Sequence, residues 1–235
     1  MFLTMLQPIA QQVRPQNAQQ VLDQMAQAMG QANAFKVRTV QVIGTIRHSQ
    51  WARPGRMEAY YKSPNKMYLR SVLQWLDNRW LEMQQGYDGT VGWKKDPVMG
   101  LRVLQGAELA QMRWSAEIGA SNDVRKALRN PKLAGRQKVG DREAFVITAQ
   151  TTAGTPISVY IDTQRYLLLR MDMELATPMG RRNVTMVYED YQYVDGIMYP
   201  FTTRQFTEQG ETVLKTERVQ HNVPISDAIF RMPQS

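Results

Sequence analysis

The first regular pattern along the chain has helical spacing. Val21, Leu22, Met25 and Met29 recur at intervals of three and four, with polar residues between them. Asn17 precedes the pattern as a suitable N-cap and Gly30 follows its last apolar position. The spacing therefore predicts one amphipathic helix of about four turns, with one stripe buried.

From Phe35 onwards the spacing is that of strands. Phe35 to Arg47 is rich in Val, Ile and Thr, and Arg56 to Lys62 alternates apolar and polar residues. The clearest alternation is in a later segment, which predicts an antiparallel sheet with one dry and one wet face. Its apolar positions are Leu167, Leu169, Met171, Met173 and Leu175, and its polar ones are Arg170, Asp172 and Glu174.

A helical interruption lies in the middle of this strand-rich sequence. Gly106 to Ile118 places Leu109, Met112 and Ala116 on one helical face, and Ser121 to Leu128 predicts a second short helix that Asn130-Pro131 stops. Turn signals recur to the C-terminus without a shift in composition. We therefore predict a mainly β (α+β) chain, with a leader at 1–16 and one domain at 17–235.

Composition excludes some kinds of chemistry and leaves the partner and the compartment open. The formal charge of +8 predicts a basic surface, and the absence of Cys excludes thiol nucleophiles, disulfides and a lipid-anchored N-terminal cysteine. Phe2 to Leu6 is too short for a complete secretory signal and has no basic residue before it. The N-terminus is therefore a signal remnant, a misplaced start or a disordered end, and no run predicts a transmembrane segment.

The sequence offers little for catalysis or metal binding. His48 and His221 have no partner at metal-ligand spacing, and each is expected to face solvent in a loop. Glu189 and Asp190 are adjacent, so in a strand they point to opposite faces. No Gly-x-Ser-x-Gly elbow or phosphate-binding loop occurs. We expect no enzyme, no metal and no cofactor.

One hairpin has the composition of a nucleic-acid stacking platform. Aromatic and basic residues alternate along it, but we expect one ring of each pair to pack in the core, and we predict no nucleic-acid partner. The residues are Tyr60, Tyr61, Lys62, Lys66, Tyr68 and Arg70.

The unusual feature is methionine, with 15 Met against 6 Phe. Methionine adapts to varied apolar partners and specifies tight packing poorly. On the residues alone, a solid core and a ligand cavity are both open. Many of the methionines occupy inward strand positions: Met57, Met67, Met83, Met171, Met173 and Met186.

The order of parts and several motifs resemble the LolA/LolB-like lipoprotein-carrier superfamily over about residues 17–233. The motifs are Phe35-Lys36-Val37 after the first helix, Gly55 to Pro64 (GRMEAYYKSP), Tyr87-Asp88-Gly89 before Trp93, Tyr191 to Pro200 (YQYVDGIMYP), and Val223 to Phe230 (VPISDAIF).

The resemblance implies a curved antiparallel half-barrel wrapped around an N-terminal helix and a central helical lid or plug. It implies a lid from Leu104 to Ile118 that presents Leu109, Met112 and Trp114, and a locking arginine at Arg38 or Arg47. The expected cavity lining is Met57, Tyr61, Met67, Leu69, Met83, Leu169, Met171, Met173, Val184, Met186 and Tyr188.

The function that the resemblance implies is that of a monomeric periplasmic carrier, with a lipid or lipoprotein acyl chain as its ligand. Apolar burial drives such binding, without a cofactor. The alternative is an envelope sensor or interaction module that has the same fold, a protein partner and no transport role.

Overall fold

One curved antiparallel sheet dominates the computed structural model, which describes residues 17–50, 53–74, 79–121 and 123–234. The expected leader at 1–16 lies outside these residues. Within them the chain forms three α-helices, α1 (Ala18–Ala28), α2 (Gln31–Ala34) and α3 (Gly106–Ser121), and two 3-10 helices, Val124–Ala127 and Asp227–Phe230. The described strands are β1 (Thr39–His48), β2 (Gly55–Lys62), β3 (Lys66–Gln74), β4 (Trp80–Tyr87), β5 (Gly92–Asp96), β6 (Gly100–Val103), β7 (Leu128–Val139), β8 (Arg142–Thr151), β9 (Pro156–Asp162), β10 (Leu168–Thr177), β11 (Gly180–Val194), β12 (Ile197–Thr207) and β13 (Gly210–His221).

The strand order explains how the chain makes a half-barrel. It is β6-β5-β4-β3-β2-β1-β13-β12-β11-β10-β9-β8-β7, so the first strand pairs with the last and two meanders extend from that seam. The sheet does not close, and β6 and β7 are its edges. The prediction of a mainly β fold with an unclosed, curved antiparallel sheet is confirmed.

The N-terminal helix follows its sequence signals closely. The Asn17 side chain accepts a hydrogen bond of 2.9 Å from the Gln20 N–H, which caps α1 as predicted. The helix has 11 residues, nearer three turns than four. Gly30 then adopts a φ of 76°, and an added Cβ there would lie 2.1 Å from the Gly196 carbonyl oxygen. Glycine therefore lets the start of α2 dock on the β11–β12 turn.

Two sequence expectations for the connections need correction. The predicted helix at Ser121 to Leu128 is only the 3-10 helix Val124–Ala127. Asn130-Pro131 does not end the element but lies inside β7, where Asn130 has a φ of 51° and the pairing register shifts before Lys132. A bulge tolerates both the left-handed residue and the missing proline N–H, because this strand lies at the edge of the sheet.

The sheet has two covered faces, which we call inner and outer. The helices α1 and α3 pack on the inner face, whereas the C-terminal 3-10 helix packs on the outer one. On the outer face Trp93 and Tyr68 contact Phe230, and Trp93 Nε1 donates a hydrogen bond of 2.9 Å to the Phe230 carbonyl. The C-terminal segment is thus held away from the helices.

Candidate ligand-binding face

The first half of the predicted lining lies on the inner face of β2 to β4. Tyr61 is opposite Met67 in the pairing register, Ala59 is opposite Leu69, and Met57 and Met83 flank Ser71. Side chains directly opposite each other share a face. Tyr61, Met67 and Leu69 contact α3 residues there, so this group shares one apolar surface.

The second half of the lining lies on β10 and β11. Met171 is opposite Met186 and Met173 is opposite Val184. The Tyr188 hydroxyl lies 3.4 Å from Met186 Sδ and 3.8 Å from Met171 Sδ. Burial raises the pKa of this hydroxyl, so it stays neutral among soft, polarisable sulfur atoms. Together these side chains form an apolar surface under α1 and α3.

Leu169 does not belong to this surface, and its predicted place beside Met171 is wrong. The pairing register between β10 and β9 shifts between Leu168 and Arg170. Leu168 therefore packs with Met171 on the inner face, whereas Leu169 packs with Ala144 and Tyr160 on the outer face. A bulge inserts one residue and so reverses the side-chain direction on either side of it.

Helix α3 packs in two directions between the two halves of the inner face. Leu109, Met112 and Ala116 contact the group around Met67, as their spacing predicts. Trp114 instead enters the larger cluster under α1, where its Nε1 donates a hydrogen bond of 2.9 Å to the Ala127 carbonyl. Most residues of α3 are at least half-buried, whereas a surface helix normally exposes one whole polar face, because the curved sheet lies on two sides of it.

A glycine makes the close contact between α3 and β2 possible. A Cβ added at Gly119 would lie 2.1 Å from Cε1 of the Tyr61 ring. No side chain fits in that space, so the helix backbone lies directly on the ring. The predicted lid residues are thus packed as a plug against the inner face.

The inner face is filled by the helices in this structure. Met67, Met171 and Met173 are all buried, in clusters that contain α1 or α3 side chains. A pocket of about 590 Å³ lies elsewhere, at Arg38, Lys62 and the segment 222–226. A gap of about 30 Å³ beside α3, lined by Ala107, Ala110 and Ala176 among others, has room for about one water molecule. An acyl chain therefore needs α3 or α1 to move.

The ion pair that holds α3 was missed in the sequence. Glu108 accepts two hydrogen bonds from the Arg102 guanidinium, of 2.8 and 2.9 Å, and lies 3.9 Å from Lys94 Nζ. In the described residues no hydrogen bond or ion pair joins the guanidinium of Arg38 or Arg47 to α3. One sequence feature could have indicated part of this cluster. The hairpin turn at 97–99 sets Lys94 opposite Arg102 in the pairing register.

The surroundings of this ion pair shift the pKa values of its side chains. The hydrogen bonds from Arg102 hold the pKa of Glu108 below its usual value, whereas burial lowers the pKa of the Lys94 ammonium, against the attraction of Glu108. A second carboxylate, Asp96, also acts on both cations. The cluster thus groups two basic side chains around one directly bound carboxylate.

We expect the ion pair to weaken in acid. Because the pKa of Glu108 is lower in the folded chain than in the unfolded one, its contribution is complete above about pH 5 and declines as the pH falls below about 4.3, the usual Glu value. Urea denaturation should show wild type more stable than Glu108→Gln at pH 7, with a smaller difference at pH 3.5. A difference independent of pH would contradict this assignment.

His221 is not the solvent-facing loop residue that the sequence predicts. It ends β13 with its side chain 4% exposed, and its Nε2 lies 3.0 Å from the Tyr199 hydroxyl. Its Nδ1 lies 2.9 Å from Asp195 Oδ2. Burial raises the pKa of Tyr199, so this hydroxyl stays protonated. The chain of contacts ties the β11–β12 turn to β13.

The aromatic and basic hairpin does not present a stacking surface. Tyr68 and Tyr60 pack on the outer face beside Phe230, while Tyr61 lies on the inner one. Lys62 and Lys66 each contact Asp227 at 2.7 Å. Arg70 pairs with Glu58 and Glu82. The rings are covered and the cations are occupied by carboxylates.

Among the described residues no three His, Asp or Glu side chains are grouped so as to hold a metal ion. None of the helices in the described ranges is long and apolar enough to cross a bilayer.

Comparison with known proteins identifies the fold. No family model matches the chain, and no curated protein matches it in sequence. A LolA superfamily protein from Nitrosomonas europaea matches in structure with a TM-score of 0.57 at 15% identity, over 92% of this chain and 98% of that one. The chain has the LolA-like fold. The LolA-like topology extends over nearly the whole length of both chains.

Two other solved structures agree with this assignment. A DUF1329 family protein from Desulfovibrio piger matches with a TM-score of 0.58 at 14% identity, over 91% of this chain and 97% of that one. A domain described as an outer membrane lipoprotein-sorting protein, from Vibrio parahaemolyticus, matches with a TM-score of 0.58 at 13% identity and the same coverage. The predicted LolA-like resemblance is confirmed for the fold.

Proposed function

We propose that this protein is a monomeric, single-domain periplasmic carrier that binds a lipid or lipoprotein acyl chain between the inner face and α3. The observation that carries the proposal is the methionine-rich inner face, which the helices α1 and α3 cover. Met171, Met173 and Met186 lie side by side on β10 and β11 and form an adaptable wall. The LolA-like fold and the lack of any metal cluster in the described residues are consistent with this role.

The energetics favour a reversible exchange of helix for ligand. Burying an acyl chain of a dozen carbons gains on the order of 10 kcal/mol, at about 0.8 kcal/mol per methylene. Undocking α3 exposes Leu109, Met112 and Trp114, each of which gains about 1.5–3 kcal/mol from burial. The two amounts are similar, so a ligand can replace the helix without binding irreversibly.

The test uses two buried residues on opposite faces of one strand. Met171 and Leu169 are both 5% exposed, but only Met171 lies on the inner face. We expect Met171→Gln to weaken binding of a fluorescent fatty acid about ten-fold or more, because an unpaired amide on the wall costs about 1–3 kcal/mol. Leu169→Gln, which carries the same change on the outer face, should leave the affinity within about two-fold, since it does not touch the wall.

Circular dichroism and urea denaturation would verify that both variants fold. Native mass spectrometry of wild type purified without detergent should show a bound lipid. Equal effects of the two substitutions, or failure of every apolar probe to bind, would contradict the carrier proposal.

A second function has one observation in its favour. The filled inner face in this structure suits an envelope sensor or interaction module, which needs no ligand space. Such a module should be crosslinked to a protein partner in the envelope with a yield that Met171→Gln does not change. The carrier proposal predicts instead that Met171→Gln reduces binding of the lipid.

A further inference from the structure

A cationic pair lies on the inner face where the sheet ends at β5 and β6. Lys94 is opposite Arg102, and the same transverse row continues through Gln85 to Leu69 and Ala59. Along this row the inner face changes from apolar on β2 and β3 to cationic on β5 and β6. Four strand spacings of about 4.8 Å separate Arg102 on β6 from Ala59 on β2, about 19 Å in all.

The pair is compensated by a residue of the helix and not of the sheet. Glu108 on α3 makes both hydrogen bonds with Arg102 and is the carboxylate closest to Lys94. The side chains of Arg102 and Glu108 are only 20% and 15% exposed. Asp96, the other nearby carboxylate, is engaged in the β5–β6 turn, where its Oδ1 accepts from the Val98 and Met99 N–H groups.

The guanidinium also keeps one donor unused. Arg102 Nε is buried and has no hydrogen-bond partner among the residues that the structure describes, although buried donors are normally satisfied. The bidentate carboxylate occupies the other side of the guanidinium. A phosphate has more acceptor oxygens than a carboxylate and suits the remaining donors and the excess of positive charge.

Release of α3 would leave the two cations without their carboxylate. The carrier role requires α3 to leave the inner face, and Glu108 leaves with it. Of the two carboxylates that act on Lys94 and Arg102, only Asp96 in the turn then remains, which is unfavourable beside an apolar wall unless an anion replaces Glu108. An amphiphile with an anionic head supplies that anion at the correct end of its own chain.

We propose that Lys94 and Arg102 form a headgroup site for an anionic amphiphile, whose phosphate or carboxylate replaces Glu108 while its acyl chain lies along the inner face. The proposal rests on the proposed carrier function and specifies its ligand class. Glu108 occupies the headgroup position in the closed structure, so it competes with the ligand.

The experiment compares ligands that differ only in the head. Lysophosphatidic acid and monoacylglycerol with the same acyl chain differ by the phosphate, and the matching free fatty acid supplies a carboxylate. Displacement of a fluorescent probe should show wild type binding at least one of the two anions about ten-fold or more tightly than monoacylglycerol. The stronger of the two anions identifies whether phosphate or carboxylate fits.

Substitutions then assign the preference to the site. Arg102→Met and Lys94→Met should reduce the preference for anions to about two-fold or less and retain binding of monoacylglycerol. Glu108→Gln should strengthen binding of the anions more than that of monoacylglycerol. Lys95→Met removes the same charge from the next residue, which is exposed and points away from the inner face, and should change nothing.

The outcomes separate the two proposals. Equal binding of all three lipids by wild type, or an anion preference that survives both methionine substitutions, overturns the headgroup site and leaves the carrier intact. Failure of wild type to bind any of the three overturns the carrier function, and the headgroup site with it.

Discussion

A disulfide between cysteines placed at Gly92 and Leu109 is expected to weaken lipid binding about 100-fold or more when oxidised, and to release that block when reduced. In the proposed carrier mechanism α3 leaves the inner face before an acyl chain enters, and this bond would tie the first turns of α3 to β5. A Cβ at Gly92 would lie 2.8 Å from Leu109 Cδ1, so the two positions face each other across the contact between β5 and α3.

The chain is well suited to this experiment because it contains no cysteine of its own. Binding of a fluorescent fatty acid would be measured before and after reduction, with each single cysteine variant as a control for the substitution itself. Binding by each single variant should be the same before and after reduction. If the oxidised double variant takes up lipid as well as the reduced one, α3 does not need to move and the plug assignment is wrong.

Local patterns predicted much of the sheet, because the alternation of apolar and polar residues along a strand indicates which side chains share a face. The hairpin between β2 and β3 places Tyr61 opposite Met67, as alternation and the turn at Ser63 to Asn65 require. Leu169 shows where this reasoning fails. The register shift beside it depends on how β10 meets β9, and no glycine or proline in the segment marks it. A single inserted residue reversed one predicted contact.

The packing of α3 shows a second limit of prediction from the sequence. The spacing of Leu109, Met112 and Ala116 predicts one buried face, and that face is present. The burial of Trp114 on another side depends on the curvature of the sheet, which no short-range pattern specifies. The ion pair with Glu108 is likewise formed by tertiary contact, across the end of a hairpin. Its partners are ordinary charged residues in the sequence.

Trp114→Ala is expected to lower the free energy of unfolding by about 3–5 kcal/mol, the usual cost of removing a buried tryptophan. Trp114 is 5% exposed and joins α3 to the cluster of α1, and its Nε1 donates to the Ala127 carbonyl. Trp114→Phe should cost less, because it keeps most of the apolar contact and loses the indole hydrogen bond. Trp80→Ala is the control, since Trp80 is 64% exposed and should change stability by less than about 0.5 kcal/mol.

Urea denaturation measures these differences, and lipid binding by the same variants shows what they mean for the carrier. The free energy that docks α3 opposes ligand entry, so a Trp114→Ala protein that still folds should bind a fatty acid more tightly than wild type, in the proportion by which α3 is freed. Trp80→Ala should not. If Trp114→Ala loses stability and binding together, Trp114 forms part of the ligand site, and α3 contributes to holding the lipid as well as to covering its place.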